Sequence, residues 1–169
     1  MLFGTLATFQ KRFGRQFASR LVLDTFAVIH VSDELFKRED VDRLLEQVDD
    51  PDGQVVSDLA ARMAVRLRRQ WVEFSDARPN RAYRDLFAEV QRGYALFDEL
   101  LAKSAEQHPD NWQLAASLGG LRLDAADFHL ARHGDIPLES REKVLVEYES
   151  KRNAALEALQ SATTKYAKA

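Results

Sequence analysis

Between Tyr83 and Gln107 the chain reads YRDLFAEVQRGYALFDELLAKSAEQ, with apolar side chains at Tyr83, Leu86, Phe87, Val90, Tyr94, Phe97, Leu100, Leu101 and Ala105. Steps that alternate between three and four place these residues on one side of an α-helix. Charged residues such as Arg84, Asp85, Glu89, Arg92, Asp98, Glu99 and Lys103 fill the other sides. An apolar stripe this long and wide has to be buried, and it requires partner helices on more than one side. The pattern therefore predicts an all-α antiparallel bundle with 83–107 as its central helix.

The rest of the chain agrees with a helical reading. Its 169 residues contain 7 Gly and 4 Pro, so helix breakers are scarce, and the prolines stand only at 51, 79, 109 and 137. Cutting the pattern at these breaks gives five to six helices in one domain spanning 1–169. Residues 1–20 form a basic amphipathic helix, with Phe9, Phe13 and Phe17 on one side and Lys11, Arg12, Arg15 and Arg20 on others. It is expected at the periphery, docked on its own domain or offered to a partner, with an anionic membrane surface as the alternative. The run LVLDTFAVIHV at 21–31 is rich in β-branched residues, which favour strand. No second run of this kind exists to pair with it, so it is read as a helical continuation.

Ser32 starts a further helix to Asp49, and DDPDG at 49–53 is a loop. The next helix is expected from Ser57 to Ser75, capped by Ser57 or Asp58, with Leu59, Ala60, Met63, Leu67, Trp71 and Phe74 inward. After the central helix, QHPDN stops the chain, and Asp110 or Asn111 caps a helix over 111–133. In that helix Trp112, Leu114, Leu118, Leu121, Ala125 and Phe128 are assigned to one side and Leu123 and Leu130 to another. Such a helix is either central or covered by a partner. Gly119-Gly120 permits a close crossing. A last helix over 137–164 carries Leu138, Val144, Leu145, Tyr148, Leu156 and Leu159, with Tyr166 beyond it; the tail 165–169 frays.

The junction AKSAEQHPDNW resembles the turn between successive tetratricopeptide units, over eleven residues. A period of about 34 residues would place comparable prolines near 75 and 143. Those positions hold Ser75 and Lys143, so no array is implied.

Reactive signatures are few. The absence of cysteine removes disulfides, thiolate nucleophiles and cysteine-liganded metal. There is no Gly-rich phosphate loop, no nucleophile elbow and no Glu-x-x-His pair of the kind that di-iron bundles use. His129 and His133 stand one helical turn apart and are the candidate metal ligands, but zinc needs at least three protein ligands. No cofactor is expected. No run is apolar enough to span a membrane and no leader pattern is present, which favours the cytoplasm.

The net charge of −3 conceals blocks: +4 over 1–22, −8 over 23–58, +5 over 59–84, −6 over 85–139 and +2 over 140–169. In the second basic block Arg62, Arg66 and Arg69 form a row, with Arg68 beside it and Arg81 and Arg84 extending the patch. Arginine suits bidentate phosphate contacts. Pairing of this row with the acids of 33–58 is the expectation; an acidic protein or nucleic acid is the alternative partner. Taken together, the sequence favours a non-catalytic interaction, adaptor or regulatory protein that binds a protein partner or itself. Phe9, Phe13, Phe17, Leu123 and Leu130 are its candidate contacts. The alternatives are nucleic-acid binding through 62–69 and a metal-dependent bundle enzyme at His129 and His133.

Overall fold

The computed structural model describes residues 39, 50, 52–76, 81–131 and 136–168, with backbone alone for 70–76 and 81–86. Four long helices occupy this part: α1 (Gln54–Asp76), α2 (Arg81–Gln107), α3 (Trp112–Ala131) and α4 (Leu138–Tyr166). The described residues contain no strand, so the all-α expectation holds. Four helices stand here in place of five to six. The helices expected over 1–49, and with them Phe9, Phe13 and Phe17, lie outside the described residues, Glu39 apart.

α1 starts at Gln54, three residues before the expected cap. The loop ahead of it does the capping. Asp50 accepts from the backbone N–H of Val55 at 2.9 Å and of Val56 at 3.0 Å, and Asp52 accepts from that of Gln54 at 3.2 Å. These N–H groups have no partner inside the helix, which is why an acidic side chain is favourable there. Ser57 is instead buried, with its hydroxyl 2.7 Å from that of Ser117 on α3. Asn111 is the α3 cap, accepting from Gln113 N–H at 2.9 Å and Leu114 N–H at 3.3 Å. Its amide also donates to the Asp52 carbonyl at 2.6 Å, which ties the starts of α1 and α3 together. Gly53 makes the junction work. Its φ is +76°, and a Cβ there would lie 2.5 Å from Leu114 Cδ1 and 2.7 Å from Ser104 Oγ. Only glycine satisfies both demands.

The apolar stripe of α2 is buried where its side chains are described: Phe87, Val90, Tyr94, Phe97, Leu100 and Leu101 all face the core. From α1 come Val55, Leu59, Ala60, Met63 and Leu67. Phe128 of α3 stacks on Phe87 with centroids 4.8 Å apart, and Tyr94 tilts against it at 5.8 Å. The centre of the described bundle, however, is α3 and not α2. α2 packs on α1 and α3, whereas α3 packs on α1, α2 and α4. Leu114, Leu121 and Phe128 serve the first two helices; Ala115, Gly119 and Ala126, rotated by roughly half a turn, serve α4.

The α3–α4 contact is close because it is built from small residues. A Cβ on Gly119 would sit 2.6 Å from Leu159 Cγ and 3.1 Å from the Ala155 carbonyl oxygen, while one on Gly120 would meet nothing within 4 Å. Only the first glycine of the pair serves the crossing. One expectation changes with it. Trp112 belongs to the α4 side, where it meets Tyr166 edge to face at 5.1 Å, and not with Leu114. On α4, Val144, Ala155 and Ala162 are buried, whereas Leu138, Leu145 and Leu156 are exposed.

Candidate functional site

α2 and α4 both lean on α3, and the space between them is a cavity of about 480 Å³. That lies within the range of about 300–1,000 Å³ typical of small-molecule sites. The space exists because alanine stands where the three helices face one another: Ala95 on α2, Ala125 on α3 and Ala154 on α4. Phe128 adds an apolar ring, and Tyr94 and the buried His129 line the interior.

Charge collects around this apolar floor in pairs. Arg122 of α3 binds the Asp98 carboxylate of α2 through two hydrogen bonds, at 2.5 and 3.2 Å. His129 Nε2 lies 2.9 Å from Glu147 Oε2 on α4, and Lys143 reaches the other oxygen of Glu147 at 3.9 Å. Lys151 also lines the cavity, with Ser150 beside it, and is exposed. Among the described residues it has no ion-pair partner. The Tyr94 hydroxyl is buried with no hydrogen-bond partner among them. Its burial, and then the nearby Asp124 carboxylate, push its pKa well above the usual tyrosine value, so it stays protonated.

A second surface lies on α4. Leu138, Leu145 and Leu156 fall within about 20° of one another around the helix, and all three are exposed, Leu138 by 75%. Val146 (61%) and Tyr166 (64%) are exposed as well. Large apolar groups gathered on one side are more informative than scattered ones. The charges of this helix are divided along its length. Residues 138–150 hold four acids and two bases, and 151–168 hold four bases and one acid.

The sequence-predicted site residues fare differently from one another. Arg62 and Arg69 are exposed on α1. Arg66 is half-buried; burial lowers its pKa, and Glu89 of α2 partly offsets this. Arg68 is hydrogen-bonded to the largely buried Asp124 carboxylate of α3, and chiefly for that reason its pKa is raised. Among the described residues, the acids near Arg66 and Arg68 are Glu89 of α2 and Asp124 of α3; most of 33–58 lies outside them. Arg81 and Arg84 lie in the part of α2 described by its backbone alone. Leu123 and Leu130 are half-buried, on the side of α3 that carries Trp112. His129 faces α4 as half of a carboxylate pair, and His133 lies outside the described residues. No group of three or more metal-ligating side chains gathers among the described residues, and no described helix is long and apolar enough to cross a membrane.

Asp98, Arg122, Glu147 and Lys151 were not singled out by sequence reasoning. Each is an ordinary charged residue on a helix, and only the packing of α2 and α4 on α3 brings them together. The one signal available was the recurrence of alanine beside large apolar positions. Comparison with protein-family models, with curated proteins and with solved structures finds no match for this chain.

Proposed function

We propose that this chain is a non-catalytic helical interaction module that associates with a second copy of itself through the outer side of α4. The observation that carries this reading is the exposed stripe of Leu138, Leu145 and Leu156 on a helix whose two halves differ in charge. A two-fold axis sets a surface against itself. Two α4 helices laid antiparallel about residue 147 bring Leu138 of one copy against Leu156 of the other. The same register brings Glu142 against Arg152, twice. Acidic half meets basic half, so charge fixes the direction and the leucines supply the apolar area.

The test is the molecular mass in solution by sedimentation equilibrium across a concentration series. The expected result is a reversible monomer–dimer equilibrium, shifted to monomer by Leu145→Glu with Leu156→Glu. Glu142→Arg should weaken the dimer, and adding Arg152→Glu should restore it. A monomer at every concentration overturns the proposal. So does a dimer indifferent to both the leucine and the charge changes, because that dimer would use another surface.

A further inference from the structure

We infer that the cavity between α2, α3 and α4 is a binding site for a small monocarboxylate with an apolar body, held by Lys151. Several observations lead there. The space of about 480 Å³ is a groove open on one side, with Gln91, Ala95, Ser150 and Lys151 exposed along it, and it lies beside a well-filled core. Its apolar lining is Phe128 with the half-buried Ala125 and Ala154 and the exposed Ala95, which suits an apolar or aromatic body.

The charges around it decide the polar end. Facing the space from α2 is Asp98 and from α3 is Arg122, and they neutralise one another through two hydrogen bonds. His129 and Glu147 form a second pair across α3 and α4, with Lys143 on the outer oxygen of Glu147. That leaves Lys151 as the cation with no partner among the described residues, next to the Ser150 hydroxyl. The Lys151 ammonium, with the hydroxyls of Ser150 and of Tyr94, the latter unpartnered among the described residues, matches a carboxylate. A phosphate dianion would set two negative charges against the single uncommitted cation. A cationic ligand would face Lys151 directly, and both acids are already engaged.

The site stands on the opposite side of α4 from the leucine stripe, so it does not depend on self-association. Stripe residues and Lys151 are separated by about 140° around the helix. Loss of one leaves the other intact.

The probe is 2-naphthoate, an aromatic monocarboxylate, with 2-naphthamide as its uncharged counterpart. Binding is measured by titration calorimetry and by amide chemical-shift changes in the full chain. Saturable binding is expected, with shifts centred on Ala95, Arg122 and Ala154. Lys151→Glu, at an exposed position that tolerates the change, should weaken naphthoate at least tenfold and leave the amide unaffected. Ala125→Phe should abolish binding of both by filling the space; if that variant fails to fold, Ala154→Leu serves the same purpose from α4. Three results overturn the inference. The first is absence of saturable naphthoate binding. The second is naphthoate affinity equal to that of the amide, or unchanged by Lys151→Glu. The third is shifts confined to Leu138, Leu145 and Leu156, which would mark naphthoate as a ligand of the stripe.

Discussion

Gly119 and Gly120 are neighbours on one helix, and their replacement by alanine should change stability in opposite directions. In a helix interior alanine is preferred to glycine by about 1 kcal/mol, mainly because glycine loses more backbone freedom on folding. At Gly120 nothing opposes that gain, since a new Cβ meets no atom within 4 Å. Gly120→Ala should therefore stabilise the fold by about 0.5–1 kcal/mol. At Gly119 the new methyl would lie 2.6 Å from Leu159 Cγ, a branch carbon with little room to swing. It would also lie 3.1 Å from the backbone oxygen of Ala155, which moves only if α4 moves. Overfilling a packed contact costs about 1–3 kcal/mol. The propensity gain is common to both variants, so the difference between them isolates the contact term. For a chain of this length the two melting temperatures should be separated by roughly 2–12 °C, with Gly120→Ala above the parent and Gly119→Ala at or below it. Urea titrations followed by circular dichroism at 222 nm give the same comparison as midpoints. A cycle with Leu159→Ala adds a second reading. The leucine truncation should cost less in the Gly119→Ala background than in the parent, because it removes part of the overlap. If both glycine variants stabilise equally, the close approach of α3 and α4 is refuted, and with it the placement of Trp112 against Tyr166.

Other perturbations act at the helix starts and on α1. Gly53→Ala should lower stability by about 2 kcal/mol or more in a chemical-denaturation titration, combining about 1–2 kcal/mol for a left-handed non-glycine residue with overlap against Leu114 and Ser104. Asn111→Ala should cost about 0.5–2 kcal/mol by the same titration, and increased amide exchange should appear at the start of α1 as well as α3, because the Asp52 carbonyl loses its donor. Arg68→Ala should cost at most about 1 kcal/mol, since the guanidinium is exposed and water screens the pair. A much larger loss in melting temperature would mean that Asp124 depends on Arg68 for its burial.

Polar punctuation marked the ends of α2 and α3 closely, while α1 starts three residues before the expected cap because Asp50 and Asp52 do the capping. The centre of the bundle was not legible. A helix announces itself by contrast between a buried and an exposed side, and α2 has that contrast. α3 is buried by α1 and α2 on one side and by α4 on the other, so its contrast vanishes, although the reading of it as apolar on two sides was the correct clue. On α4, the sequence did not separate Leu138, Leu145 and Leu156 from Val144 and Leu159. The first three are outside because they stand about 100° around the helix from Val144, Ala155 and Ala162, which face the bundle. The same limit hid the cavity, whose walls are alanines on three separate helices. The arginine row was visible as a row, but which acids lie near Arg66 and Arg68 depends on how α1 crosses α2 and α3.

The position of α3 has a consequence for how the chain is made. A ribosome extrudes α3 first and then needs to add the 29 residues of α4, which takes roughly 1.5–6 s at about 5–20 residues per second. Helix formation itself takes about a microsecond or less. For those seconds the nascent chain holds its middle helix with one flank bare. Along the strip that awaits α4, Ala115, Gly119 and Ala126 present less greasy area to a passing chain than leucines would. The small side chains that let two helices touch thus also make the growing chain less adhesive while α4 is still inside the exit tunnel.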